Sequence, residues 1–158
     1  MNKFGLDFRS IRYPAMIGPN VRTPGHWAPH MIEDSIAGRP NECIYTIPER
    51  GMPMIYLTDA ARAADMVLQA PKEKIKMVNY CVASVPDSVS AKELETILTK
   101  RYPKTKVNYN MDPAMRALMG KIGITTRFDD SYARKEWGWN PLYTTAEAIV
   151  DKIGRAHV

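Results

Sequence analysis

The sequence predicts an α/β fold with at least some parallel strand pairing. Strand-like apolar segments and helix-like amphipathic segments alternate along the chain, the arrangement that builds strand–helix–strand units. The helical segments carry helix punctuation, with proline in first turns and a Ser-x-x-Glu capping box at Ser90 and Glu93. No internal repeat, low-complexity tract or dividing linker interrupts the 158 residues, which have room for about one domain with a real core.

Residues 6–13 read as a buried strand carrying Phe8, Ile11 and Tyr13, ended by Pro14 and a Gly/Pro-rich loop that runs to Pro29. Pro29 suits a first helical position and Gly38 a C-terminal stop, so 29–38 is a short helix. Residues 42–47 and 53–57 are strands separated by the turn 48–51. A helix over 58–70 follows, capped by Thr58 or Asp59 and closed by Pro71, and 76–82 is another strand. The capping box at Ser90 opens a helix whose Leu94, Ile97 and Leu98 share one face. A short strand over 106–110 precedes a short helix over 112–120, with Asp112 as cap and Pro113 in the first turn. Asp130 and Ser131 cap the next segment, in which Trp137 and Trp139 pack the last helices onto the sheet and Gly138 allows a turn between them. Thr144 and Glu147 form a second capping box at the start of the last helix.

A composition of 45% hydrophobic and 25% charged residues belongs to a globular chain and not a disordered one. No apolar run approaches the ~20 residues of a membrane span, and the N-terminus lacks the apolar core of a secretory signal. A cytoplasmic protein with no membrane partner is therefore expected. Cys43 and Cys81 each sit in a strand-like apolar segment, as buried free thiols of a reducing compartment do. The net charge of +5 draws on two short clusters, at 71–76 and 99–106, which read as solvated element ends. Neither interleaves aromatic side chains, so no nucleic-acid partner is expected. Mild basicity equally suits a phosphate-bearing ligand.

His26 and His30 are spaced i, i+4 with Glu33 beyond, which serves a metal only when both histidines share a helix face. Pro29 pushes the residue before it out of helical geometry, leaving His26 in the loop and His30 in the helix. No further ligands lie nearby, and no metal site is expected. His26, Trp27 and His30 then either line a ligand pocket or cover an exposed edge. Tyr102 and Lys106 match Tyr-x-x-x-Lys, but Pro103 breaks the helix between them, so their side chains do not face one reacting atom. No glycine-rich dinucleotide or phosphate loop follows a strand, and there is no Gly-x-Ser-x-Gly elbow. No catalytic residue is assigned. Arg50 and Arg127 suit a phosphate or carboxylate, or are simply solvated surface cations.

Three segments in order resemble the extended short-chain dehydrogenase/reductases, the NAD-dependent epimerase/dehydratase family. "DFRSIRYPAMIGP" resembles the strand and loop after their catalytic helix. "MPMIYLTDAARAADMVLQAP" resembles a strand–helix unit, and "DDSYARKEWGWNP" their late Asp-x-Ser-x-Ala signature ending in Gly-Trp-x-Pro. "SAKELETILTKRYP" is similar to the short-chain-type L-threonine dehydrogenases. The resemblance runs from about Phe4 to Ile153. It implies the C-terminal part of an extended Rossmann-type enzyme: the end of the parallel sheet plus a small substrate-binding α/β subdomain. Residues 1–22 would close the NAD-binding domain and 23–153 form the substrate-binding region. The family's glycine-rich loop and catalytic Tyr-x-x-x-Lys lie upstream of this stretch, so the chain alone is expected to be inactive and Met1 to be an internal start. Residues 154–158 are expected to be a non-native tail. "IGRAHV" leaves the amphipathic pattern and reads as an in-frame translation of a common sequencing-adapter oligonucleotide.

By the same resemblance, Tyr13, Pro14, Ala15, Met16 and Ile17 are the cofactor-binding residues, lying against the nicotinamide end of NAD. His26, Trp27 and His30 are the substrate-facing candidates. They stand where threonine dehydrogenases carry a Gly-Thr-Thr-Asp-Tyr-like stretch, and a Trp-Pro pair of that subfamily is also replaced within 121–130. The function implied is hydride transfer between a substrate carbon and nicotinamide, L-threonine 3-dehydrogenase-like. A nucleotide-sugar epimerase/dehydratase and a non-catalytic NAD-binding interaction protein are the alternatives. The expected partner is a small-molecule substrate, with homodimer formation open for the full-length protein.

Overall fold

Pro14 decides how the first strand is used. In the computed structural model, which describes residues 5–21, 25–121 and 124–156, the strand expected over 6–13 is confined to 10–12, and a second strand follows Pro14. β1 (Ser10–Arg12) runs parallel to β5 (Asn79–Cys81), with Ser10 opposite Asn79. β2 (Ala15–Ile17) runs parallel to β4 (Gly51–Tyr56), with Ala15 opposite Met54. Proline has no N–H to give a ladder and a fixed φ, so the chain changes partner across it. Residues 15–17, expected to belong to a loop running to Pro29, are thus strand.

β4 also pairs antiparallel with β6 (Val85–Ser90), a strand the sequence did not announce. Its register slips between Met52 and Met54, around Pro53, which cannot donate to the ladder. Gly51 is required by close approach, since a Cβ there would sit 2.6 Å from the Val89 carbonyl oxygen. A third parallel pair joins β3 (Pro40–Glu42) to β7 (Lys106–Asn108). The strand expected over 42–47 therefore lies earlier, because Asn41 and not the apolar Ile44 faces inward. The α/β class with parallel pairing holds.

Among the described residues six α-helices cover these strands. α1 (Trp27–Ile36) begins two residues before the expected start, with His26 as N-cap and Pro29 as third helical residue. α2 (Leu57–Gln69) follows β4 without a loop, and neither Thr58 nor Asp59 caps it. α3 (Ala91–Arg101) carries the expected capping box: Ser90 Oγ accepts the Glu93 N–H at 3.1 Å, and Glu93 Oε2 accepts the Ser90 N–H at 2.7 Å. In α4 (Pro113–Lys121), Asp112 Oδ1 accepts from Ala114 and Met115 as a cap should. α5 (Ser131–Trp137) differs. Asp129 accepts the Ser131 N–H, while Asp130 is buried in an ion pair with Arg134 at 2.8 Å. α6 (Ala146–Arg155) is capped by Thr145, one residue beyond the expected Thr144. It continues through Gly154, where a Cβ would meet the Tyr102 hydroxyl at 2.1 Å. Residues 157–158 of the expected tail, and Met1, lie outside the described residues.

Two apolar clusters hold the elements together. The first gathers Ile17, Met54 and Tyr56 with Met31 and Ile32 of α1, Leu94 and Leu98 of α3, and Ile149 and Ile153 of α6. The second gathers Ala60, Ala63 and Val67 of α2 with Ile55, Tyr80 and Val82, closed by Trp137 and Trp139. Gly138, at φ 75°, turns the chain between the two indoles, and Trp139 Nε1 donates to the Ala83 carbonyl at 3.3 Å. That turn and that packing were expected. Phe8 was not: it is 68% exposed and Leu6 67% exposed, because the described residues place nothing over them. Among the described residues no helix is long and apolar enough to cross a membrane. Cys43 and Cys81 are both free thiols, and burial pushes Cys43 up to about 11.

Candidate functional site

β2 and β4 run in the same direction, so their carboxyl ends open on one edge of the sheet. In doubly wound sheets that edge is where ligands bind. β2 ends at Ile17, and Val21 N–H closes a turn onto the Gly18 carbonyl at 3.2 Å. Gly18 has no room for a side chain, since a Cβ would lie 2.9 Å from Leu57 Cβ at the start of α2. Asn20 takes a left-handed φ of 60° and donates its N–H to Glu33 Oε1 at 3.1 Å. Glu33 is buried on α1, so a carboxylate of the helix fixes the shape of the turn beyond β2. Local sequence offers no hint of this bond, because its partners are thirteen residues apart.

The five residues expected near a cofactor are placed by strand alternation. Ala15 and Ile17 turn toward the first core and Met16 toward the second. Tyr13 is half-buried, and its hydroxyl donates to the Ala60 carbonyl at 3.1 Å, which directs the ring to α2. Burial also pushes its phenol above the ordinary value. What this segment presents toward the sheet edge is backbone and the turn that follows, not a reactive side chain.

The histidine–tryptophan candidates are divided. Trp27 is buried within the first core. Trp27 and His30 line a cavity of about 320 Å³ together with Asp34, Asn41 and Cys43. Asn41 donates to Asp34 Oδ2 at 2.8 Å, and its own Oδ1 is buried without a partner. His26 is not on that lining. It occupies the N-cap of α1 without a side-chain cap bond, and its Nδ1 is buried without a partner. Arg127 pairs with Asp87 at 2.5 Å on the surface, which answers its charge locally.

Burial lowers the His26 imidazole below its ordinary value, and the neighbouring His30 adds to the effect. The neutral form is therefore the one the fold prefers. Its contribution to stability is present above the unfolded value of about 6.5 and is lost as pH falls through the lowered folded value. Replacing His26 with asparagine, a better N-cap, is expected to raise stability by about 1 kcal/mol near neutrality. It should also flatten the loss between about pH 7 and 5. Urea unfolding at both ends of that range reads both effects.

Parallel strands ending at a glycine-bearing turn, with a helix springing directly from the neighbouring strand, define part of a Rossmann-type α/β protein. No family model matches the sequence. Its homologues are L-threonine 3-dehydrogenases and epimerase/dehydratases. The mitochondrial L-threonine 3-dehydrogenase of Bos taurus is 32% identical over 154 residues, 96% of this chain and 40% of that protein. An uncharacterized epimerase/dehydratase of Staphylococcus haemolyticus is 31% identical over 150 residues, 91% of this chain and 45% of that protein. Among solved structures, the holo form of an L-threonine dehydrogenase from Cupriavidus necator superposes with a TM-score of 0.86 at 26% identity, over 99% of this chain and 50% of that one. The resemblance to extended short-chain dehydrogenase/reductases is borne out. The chain spans less than half the length of these curated relatives.

Proposed function

We propose that this chain is the C-terminal half of an NAD-dependent dehydrogenase of the L-threonine 3-dehydrogenase kind. The observation that carries the reading is the 32% identity to such an enzyme over 96% of the chain. NAD, when bound, accepts a hydride from the substrate carbon. The described residues fit only the nicotinamide end of that cofactor: a strand end and a shaped turn are present, but no glycine-rich strand–turn–helix for the pyrophosphate. Residues 13–17 and the 18–21 turn wall the nicotinamide side, with Glu33 holding the turn. Of the substrate-facing candidates, His30 and the edge of Trp27 share a cavity, where His30 offers a hydrogen bond and Trp27 an apolar wall, while His26 stands apart at the start of α1. Proton transfer belongs to a tyrosine outside this chain.

A nucleotide-sugar epimerase or dehydratase is the second reading, favoured by the 31% identity to an epimerase/dehydratase. The test is a comparison of NADH formation by the full-length protein on L-threonine with its turnover of UDP-glucose. The 158-residue chain alone is expected to form no NADH on either. Threonine-dependent NADH formation supports the first reading and sugar turnover without it supports the second. Turnover by the 158-residue chain itself overturns the assignment of the catalytic group elsewhere.

A further inference from the structure

The basic stretch 71–76 does not end in open solvent. It lies against α5, and with residues of 132–138 it walls a groove of about 750 Å³. Lys74 and Lys76 stand on one wall and Lys135 on the other, all three exposed. Tyr132 and Trp137 supply aromatic surface between them. The groove lies away from the sheet edge at Gly18. Residues 74–77 precede β5, which runs parallel to β1, and the chain leaves β1 through Pro14 and β2 toward that edge. The groove therefore opens at the amino end of β5, opposite to the crevice.

Its charges are answered unevenly. Arg134 is held by the buried carboxylate of Asp130 at 2.8 Å. Glu136 accepts the Lys76 N–H at 2.9 Å and the Tyr80 hydroxyl, so both of these lining groups are committed within the fold. The ammonium groups of Lys74, Lys76 and Lys135 enter no salt bridge among the described residues, although Lys76 lies in the field of Glu136. Glu73 is the one further carboxylate on the lining. A second observation is independent of charge. Trp137 is 7% exposed, and its Nε1–H is buried with no acceptor among the described residues. A buried donor left in that state costs free energy that an incoming acceptor relieves.

We propose that this groove binds a small nucleoside phosphate, with its phosphates on Lys74, Lys76 and Lys135 and its ring against Tyr132 and Trp137. Lysine is a point charge on a flexible stem, which suits a multiply charged tetrahedral anion. A planar carboxylate is better met by a guanidinium fork, and the guanidinium of this groove is taken by Asp130. The aromatic side chains add a flat surface on which a base stacks. The volume is that of a site for a ligand of this size. The site is separate from the nicotinamide side of the sheet and does not depend on the dehydrogenase reading.

The test titrates the 158-residue chain with ATP as the probe, read by calorimetry and by the indole N–H resonance of Trp137. Saturable binding that moves this resonance is expected, with tripolyphosphate and adenosine each about tenfold weaker or more. Lys74→Gln with Lys135→Gln should weaken ATP binding by about tenfold or more. Lys100→Gln with Lys104→Gln removes the same charge from the other basic cluster and should leave binding within about twofold. All four lysines are exposed, so neither pair should shift the unfolding midpoint by more than about 2 °C. Equal losses in the two pairs mean attraction to net charge alone and overturn the proposal. So do tripolyphosphate binding as tight as that of ATP, a Trp137 resonance unmoved at saturation, and no binding of ATP at all. Every readout is free of turnover, so the outcome leaves the assigned activity untouched.

Discussion

Replacing Asp59 with alanine is expected to lower the unfolding free energy by about 3–5 kcal/mol, a large part of the stability of a small domain. Asp59 is completely buried. Its Oδ2 accepts the Ser84 hydroxyl at 2.7 Å and the Tyr143 N–H at 3.1 Å, and its Oδ1 accepts the Leu142 N–H at 2.9 Å. Arg62 stands 3.8 Å away and supplies the nearest positive charge. Ser84 in turn accepts the Tyr56 N–H at 2.9 Å, so one carboxylate ties the end of β4, the start of β6 and the approach to α6. Removing it leaves three donors without an acceptor in a place water does not reach. Asp59→Asn should cost nearly as much, because its amide sets a donor against donors at almost unchanged volume. Urea midpoints of the two variants make the comparison. A loss confined to alanine would show that volume, not acceptance, is what the site needs.

Trp139→Ala is expected to cost about 3–5 kcal/mol by opening a cavity in the second core. Trp139 is 2% exposed, lies 6.0 Å from the Trp137 ring and is oriented by its bond to the Ala83 carbonyl. Around it the surface of α2 is built from Ala60 and Ala63, whose small side chains admit the indole and cannot expand to fill its place. Trp139→Phe keeps most of the ring but loses the donor, and should recover more than half of the loss. Thermal midpoints and the near-ultraviolet circular dichroism of the aromatic cluster read the difference. The Tyr80–Trp137 edge-to-face contact at 5.7 Å supplies a signal that persists only while the cluster is packed.

The sequence reveals most where a signal and its partner are neighbours. Ser90 with Glu93, Asp112 with Pro113, and Gly138 between two tryptophans all act within three residues, and each behaves as its spacing suggests. Asp59 has the composition of a helix cap, but its partners lie 25 and more residues away and decide its role. Strands of three residues leave almost no pattern to read. β3 is Pro-Asn-Glu, a poor strand on propensity, held by its pairing with β7, whereas the better-looking 44–47 stays unpaired. Phe8 reads as core because its side chain is apolar, yet it is exposed, since an apolar residue beside a strand carries no signal of what packs on it. The expected cofactor and substrate residues rested on resemblance. Geometry adds the Glu33–Asn20 bond beneath one group and separates His26 from Trp27 and His30 in the other.

The change of partner at Pro14 has a mechanical consequence. The stretch from Ser10 to Ile17 belongs to two sheets at once, and its one unpaired joint, Tyr13–Pro14, contains a residue whose φ is locked. Little rotation is available there. The turn at Gly18 begins only four positions beyond Pro14, so the end of the inner strand is placed by a segment anchored in both sheets.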